Sequence, residues 1–459
     1  MLVELDKSAD TPASTRLPLI VFIGVLAVAF PLLLWLGNYH WFFNDDFDFL
    51  ATRSATDLGD LFRPHNEHWS TVPILIYRAL YRIIGLHSYA PYQAVLVGLH
   101  LTAAALLRVI MRRAGVEAWT ATAGASVFAL LGAGHQNIVW AFQIGFVGSL
   151  VCGLAHLILA DHDGPFDRRD ALGLSVGAIG LLCSGVAVTM TAIVAAAVLA
   201  RRGWRMALAH VAPLALLYVV WWFGYARNRY DGEGFDSSAA DVARFVGQGL
   251  LGLFDGLGQV PGVGLLIATV LIVGFIFAWR AGAGRRRLIV PGVMLVGALM
   301  LLVISGAGRV AEYGPEFARR SRFVHLTAAL TLPALAVAAD ALLRRMRILS
   351  PLLVALVVVV IAGNIDALVD ERRFRSEVHD IDRALILGYA NAEVSPTVPA
   401  QVNPFRSCRA TSASVGWSAG WPRGASRGAC RWIAPLAPER ISSRYPSSEV
   451  HHHVCRAPA

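Results

Sequence analysis

Charged side chains are scarce in this chain. Only 15% of its 459 residues are Asp, Glu, Lys or Arg, against 56% hydrophobic. That balance excludes a set of soluble domains, which carry a larger charged fraction. Lysine is nearly missing, with Lys7 alone, so almost every basic residue is Arg, a compositional bias without functional meaning. Cysteine is rare and unpatterned. Cys152 and Cys183 lie inside apolar runs and read as small fillers. Cys408, Cys430 and Cys455 fall in the C-terminal tail, where a disulfide would leave one thiol over. None has the spacing of a zinc or thioredoxin-type motif. Also missing are the polar alternation of an outer-membrane barrel, an internal repeat, and a basic stripe interleaved with aromatics, so no nucleic-acid partner is expected.

Long uncharged runs are what the chain has instead. Leu17 to Leu36 is 20 residues without a charge, enough at about 1.5 Å per residue to cross a bilayer core of roughly 30 Å. Similar runs at 90–110, 117–134, 137–160, 171–187, 188–200, 207–226, 261–280, 288–306, 323–343 and 350–369 predict about eleven spans. Helices are the spanning solution that satisfies the backbone, so the fold class is an all-α, polytopic membrane protein. Arginines cluster at Arg108, Arg112, Arg113; Arg168, Arg169; Arg201, Arg202, Arg205; Arg280, Arg285, Arg286, Arg287; and Arg344, Arg345, Arg347. These loops alternate with an eleven-span count and share one side, which the positive-inside rule makes cytoplasmic. Residues 1–16 are then a cytoplasmic tail, and the loops at 37–89, 134–137, 227–260 and 307–322 face outward across the plasma membrane. Anchoring to anionic lipid accounts for most of the net charge of +9.

Two outer segments read as interfacial helices. The first, 72–86 (VPILIYRALYRIIGL), is too short for a comfortable span and carries Arg78 and Arg82. The second, 237–257, repeats Val242, Phe245, Val246, Leu250, Leu253 and Leu257 at helical spacing. Past the membrane domain at 17–370, residues 371–395 suit an external helix. The stretch 396–459 is Pro-, Ser- and Arg-rich with no hydrophobic period and is expected to be poorly ordered. Its His451-His452-His453 run is too unstructured to predict a specific metal site.

The chemistry-bearing residues collect on the outer side. Asn44-Asp45-Asp46-Phe47-Asp48 sets three acids among Trp41, Phe42, Phe43, Phe47 and Phe49. Partial desolvation there raises a carboxylate's pKa and makes it a usable proton acceptor. Arg63-Pro64-His65-Asn66-Glu67-His68 follows in the same loop and suits substrate binding or catalysis. Two histidines around a glutamate also resemble metal ligands, and the acid pair could add a third. The H-E-x-x-H pattern is absent, however, and no metal is assigned. His135, Gln136, Asn137 and Gln143 flank Trp140 and suit hydrogen bonding to a hydroxyl-rich ligand; helix capping is the plainer reading. Outward arginines run against the positive-inside rule and need a reason: Arg227, Arg229, Arg309, Arg319, Arg320 and Arg322. Guanidinium matches phosphate oxygens bidentately; pairing with Asp231, Glu233, Glu312 or Glu316 is the alternative.

Four segments in this order, NDDFDFL (44–50), RPHNEHWSTVP (63–73), NIVWAFQIGF (137–146) and SRFVHLTAALTLPAL (321–335), resemble the GT-C superfamily of membrane glycosyltransferases. The likeness is greatest to bacterial relatives of protein mannosyltransferases and aminoarabinose transferases, and it covers residues 17–370. It implies transfer of a sugar from a polyprenyl-phosphate donor to a lipid, glycan or protein acceptor of the cell envelope. In such enzymes an acid in the first outer loop deprotonates the acceptor hydroxyl, and inversion at the anomeric carbon expels the lipid phosphate. Mapped here, Asp45 is the expected base and Asp46 the alternate, with Asp48, Arg63, His65, Glu67 and His68 around the acceptor or sugar. Arg319, Arg320 and Arg322 would hold the leaving phosphate. Relatives often have Arg-Tyr where this chain has Arg322-Phe323, so any role of that phenol is lost.

A transporter or flippase is the competing class, but ionisable groups gather at the rim and not within the spans. A prenyltransferase would need a second acid motif facing the first. The acids Asp161, Asp163, Asp167 and Asp170 are predicted on the opposite side.

Overall fold

The computed structural model describes residues 12–227, 237–281 and 285–390. Arg229, Asp231, Glu233, the 396–459 tail with its cysteines and histidines, and parts of the 1–16 and 371–395 segments lie outside those residues. The chain divides into two units, Met1–Ser376 and Glu377–Ala459. The first holds the helical bundle and every candidate site residue.

Helix α1 (Pro12–Leu36) leads into three short helices, α2 (Asp45–Ala51), α3 (Leu58–Phe62) and α4 (Thr71–Ile84). Next come α5 (Ala90–Arg113), α6 (Ala118–Ala129), the one-turn α7 (Gln136–Val139), α8 (Ile144–Ala160), α9 (Arg168–Leu181), α10 (Val186–Arg202) and α11 (Trp204–Trp221). The rest are α12 (Ala239–Gly258), α13 (Val263–Arg280), α14 (Arg285–Tyr313), α15 (Ser321–Arg345) and α16 (Ser350–Ala390). Among the described residues no strand forms; His65 and His68 make one isolated bridge.

Eight of these helical segments are long and apolar enough to cross a membrane: α1, α5, α8, α11, α13, α14, α15 and the first part of α16. The chain is therefore an all-α, multi-pass membrane protein. They coincide with eight of the eleven expected spans. The other three expected spans fall on α6, α9 and α10, helices of 12, 14 and 17 residues, or roughly 18 to 26 Å of rise. Polar caps fix the starts of α6 and α9. Glu117 accepts from the backbone N–H groups of Trp119 and Thr120 at the start of α6. Asp167 and Asp170 form a reciprocal capping box at the start of α9.

The most enclosed span is α15, with 78% of its apolar window buried, whereas the corresponding share for α16 is 17%. α15 packs against α13, α14, α12, α6 and α5, so the bundle is built around it. Its contact with α13 is close enough to need glycine. A Cβ on Gly274 would lie 2.4 Å from the Ala338 carbonyl oxygen. Small residues at such crossings let helix backbones approach. Gly274→Ala is expected to destabilise the detergent-solubilised protein by about 1–3 kcal/mol, the usual cost of overpacking. A thermal midpoint equal to that of wild type would show that the two helices separate freely.

The 237–257 segment forms α12, which buries Phe245, Leu253 and Leu257 against the bundle and contacts α14 and α15. The expected external helix at 371–395 is no separate element up to Ala390: α16 runs on through it. No proline or glycine interrupts Asp370-Glu371-Arg372-Arg373-Phe374-Arg375, so nothing there breaks the helix.

Candidate active site

The loop between α1 and α5 folds back on the bundle end where α5 and α8 begin. Aromatic anchors fix it. Trp69 stacks on Trp221 of α11 with centroids 5.1 Å apart and planes 3° from parallel. The Trp221 indole N–H donates to the Phe62 carbonyl at 2.8 Å. At the start of α4, the Val72 N–H donates to the Leu182 carbonyl at 3.0 Å. Arg53, which sequence reasoning passed over, ties the loop internally. Its guanidinium, 5% exposed as a residue, donates to the carbonyls of Asp60 (2.9 Å), Arg63 (2.7 Å) and Pro64 (2.9 Å). Arg63 was expected to bind substrate, but it donates to the Thr52 carbonyl at 2.9 Å and lies 3.6 Å from Asp60. Both arginines hold the loop.

The three acids of α2 have three different environments. Asp46 is completely buried and saturated by donors. Tyr77 donates its hydroxyl to Oδ1. Oδ2 accepts from the Phe43 N–H at 3.1 Å, the Trp140 indole at 3.2 Å and the Tyr89 hydroxyl at 3.4 Å. Burial pushes its carboxyl up to about 7, against the lowering effect of these bonds. It is a four-way tie between α2, α4, the start of α5 and the Trp140 segment. This is a poor arrangement for the alternate base.

Asp48 orients a histidine. Its Oδ2 lies 2.6 Å from His65 Nδ1, its Oδ1 accepts from the Thr52 hydroxyl, and Arg53 Nε lies 3.6 Å away. Burial alone would raise this carboxyl. The bonds to His65 and Thr52, with the charge of Arg53, outweigh it and hold Asp48 well below the usual carboxylate range. His65 is 6% exposed and presents Nε2, which has no hydrogen-bond partner, to Asp45 Oδ1 at 3.9 Å.

Asp45 is the acid left available. Its side chain is 17% exposed, and among the described residues its carboxylate accepts no hydrogen bond. Burial pushes its carboxyl up, His65 and Arg322 pull it down, and the neighbouring charge of Asp48 pushes it up again. Asp45 is thus mostly buried, unsaturated among the described residues, and beside an imidazole fixed by a second acid.

Arginines gather on α14, α15 and the turn between them, and Arg322 is the one whose charge acts on Asp45. Arg309 makes an ion pair with Glu67 at 2.6 Å. That engages Glu67, and its side chain remains 45% exposed. Buried beside them, His68 packs edge-on against Phe146. Its imidazole pKa is pushed down to about 4, chiefly by burial, opposed by Glu67 and aided by Arg309, His65 and Arg322. Arg320 and Arg322 lie over the ring of Phe317, at 4.6 and 5.8 Å from its centroid. Among the described residues neither guanidinium has an acidic partner. Phe323 is buried against Phe317 and Phe245. Arg319 turns away from this pair. It donates to Gln248 at 2.6 Å and lies 3.6 Å from Asp255, so α12 holds it.

The residues around Trp140 divide. Asn137 was expected to grip substrate, but its side-chain N–H group donates to the Arg322 carbonyl at 3.2 Å and to His325 at 3.3 Å. His325 continues to His100 at 3.0 Å, and His100 reaches the Ala129 carbonyl at 3.1 Å. The carbonyl must accept, so each imidazole donates to the next group and accepts from the one behind. Asn137 is the head of this buried chain. Gln136 takes a structural bond from its backbone N–H to Ser321 at 3.1 Å, leaving a buried Oε1 without a partner. His135 lies 3.4 Å from Glu371 and faces a separate open cleft of about 650 Å³ that Arg319, Asp366 and Asp370 also line. Gln143 is 1% exposed and both of its amide atoms lack partners. Its neighbour Phe142 packs on His65 and Phe49.

The sequence did not single out Arg53, Tyr77, Tyr89 or Phe317. Tyr77 was legible in principle as the polar tip on the buried face of an amphipathic helix. Tyr89 carried no local signal.

Among the described residues, the ligand-type atoms that cluster tightly enough for a metal ion belong to His162, Asp167 and Asp170, at the far end of α8 from Gln143. There Arg202 grips Asp170 with bonds of 2.6 and 2.9 Å, and Arg201 pairs with Asp161. That acid group is already neutralised by arginine and does not face α2. Across known proteins, no family, no curated protein and no solved structure matches the chain.

Proposed function

We propose that this membrane protein is a GT-C-like glycosyltransferase that takes a sugar from a polyprenyl-phosphate donor on the outer face of the plasma membrane. The observation that carries the reading is the mostly buried Asp45, whose carboxylate accepts no hydrogen bond among the described residues and feels the charge of Arg322, with Arg320 beside Arg322 over Phe317. Among the described residues neither guanidinium has a carboxylate within ion-pair distance. A displacement at an anomeric carbon needs both the acid and the cations. The acceptor O–H gives its proton to the Asp45 carboxylate as its oxygen bonds to the anomeric carbon. The bond from that carbon to the phosphate oxygen breaks on the opposite side, and its electron pair leaves on the polyprenyl phosphate. Arg320 and Arg322 supply fixed positive charge where negative charge builds up, with no reorganisation needed during the reaction. Burial and the neighbouring charge of Asp48 favour proton uptake at Asp45, while His65 and Arg322 oppose it.

The test is mass spectrometry of glycolipids and surface glycans from a strain lacking the gene, complemented with wild type or empty vector. Loss of one sugar increment, restored by wild type, is the expected result and would name the sugar. An unchanged profile would remove the glycosyltransferase reading and leave transport as the better one.

A further inference from the structure

The bundle end opposite the acid cluster has a niche that the proposed chemistry does not use. It lies where α5, α8 and α10 end and α14 begins. Arg113, Arg201, Arg286 and Arg287 rim it, with Asp161 as its one acid. Beneath them the floor is apolar, formed by Leu157 and Val290 among others. The cavity is about 60 Å³. One water needs roughly 10–15 Å³ of such space, so the niche has room for a group of a few heavy atoms.

The charges do not cancel locally. Asp161 is taken by Arg201, and Arg286 reaches only as far as the exposed Asp163, at 3.6 Å. Arg113 donates to the Ile158 carbonyl and has no carboxylate among the described residues. Arg287 has neither. It lies across the turn after α5 at Gly115, where φ is +81° and a Cβ would come within 3.0 Å of the guanidinium. The positive end of α14, a 29-residue helix, points at the same place and favours an anion there.

We infer that this niche binds the phosphate of an anionic membrane phospholipid. Guanidinium matches phosphate oxygens in a fork, the volume fits a phosphoryl group, and the niche lies at the ends of α5 and α8 and the start of α14, helices long and apolar enough to cross a membrane. Basic pockets between spanning helices are suited to such headgroups.

The experiment is native mass spectrometry of the full-length protein in detergent, with dioleoyl phosphatidylglycerol or dioleoyl phosphatidylcholine added. Wild type is expected to retain phosphatidylglycerol preferentially. Arg286→Gln/Arg287→Gln is expected to weaken that retention roughly tenfold or more, given about 1 kcal/mol per basic residue near a lipid surface. Arg168→Gln/Arg169→Gln removes the same charge from exposed positions nearby and should leave retention unchanged. Equal losses in the two variants would reduce the effect to bulk charge and overturn the site. Retention unaffected in both would overturn it as well. So would complete displacement of the lipid by millimolar inorganic phosphate, which would assign the niche to the free ion. Arg287→Gln alone removes one exposed side chain without an ion partner. It gives the same reading at smaller size should the double variant unfold.

Discussion

Asp45→Asn is expected to lower the proposed glycosyl transfer by roughly 10²- to 10⁴-fold, the span usual for loss of a general base. The change is nearly isosteric and removes the carboxylate's charge together with its ability to take up a proton. It breaks no hydrogen bond, because among the described residues the Asp45 carboxylate accepts none, and its nearest cationic group, His65 Nε2, is 3.9 Å away. The thermal midpoint should therefore stay at the wild-type value while turnover of a polyprenyl-phosphate sugar in detergent collapses. Arg322→Gln is the informative companion. It should lower the rate while leaving the pH dependence of the residual activity anchored on Asp45. A fully active Asp45→Asn protein would falsify the base assignment. The Asp45–Asp48–His65 arrangement would then have to be read as loop structure.

Much of this arrangement was legible in the sequence, and the reasons for the rest are physical. Spans announce themselves through uncharged length, so α1, α5, α13, α14 and α15 fall close to their expected bounds. The acid cluster was visible because three carboxylates among five aromatics cannot all be comfortably solvated. What the sequence could not do was distribute roles within it. Asp45 and Asp46 are adjacent and chemically identical. One is spent on Tyr77, Tyr89 and Trp140, residues 31 to 94 positions away. Partner choice at that separation is set by how α4 and α5 pack. The same holds for the arginines. Arg319 and Arg322 differ by less than one helical turn, yet one meets Asp255 and the other turns toward Asp45. Asn137 shows the same limit. Its polar amide implied a ligand, and its N–H group serves two buried histidines on helices 5 and 15, partners that no local pattern announces.

Asp46→Ala is expected to cost stability rather than chemistry, by about 3–5 kcal/mol. The Tyr77 and Tyr89 hydroxyls can rotate to other acceptors. The Phe43 N–H and the Trp140 indole cannot, and each unsatisfied buried donor costs about 1–3 kcal/mol. Asp46→Asn separates the carboxyl's titration from its shape. Burial puts the folded carboxyl at about 7, above the unfolded value of about 3.9, so the native state holds its proton more tightly. Its contribution to stability is then full below about pH 4 and is lost as pH rises through about 7. Asp48 works in the other direction. Its folded carboxyl lies well below the unfolded value, so its contribution is present above about pH 4 and lost on acidification. Thermal midpoints taken near pH 5 and near pH 8 isolate the first effect, since Asp48 is ionised at both. Wild type should lose more stability than Asp46→Asn between them. Parallel losses would mean that Asp46 is ionised across the range, held so by its four donors, and that the hub is a buried anion instead of a shared proton.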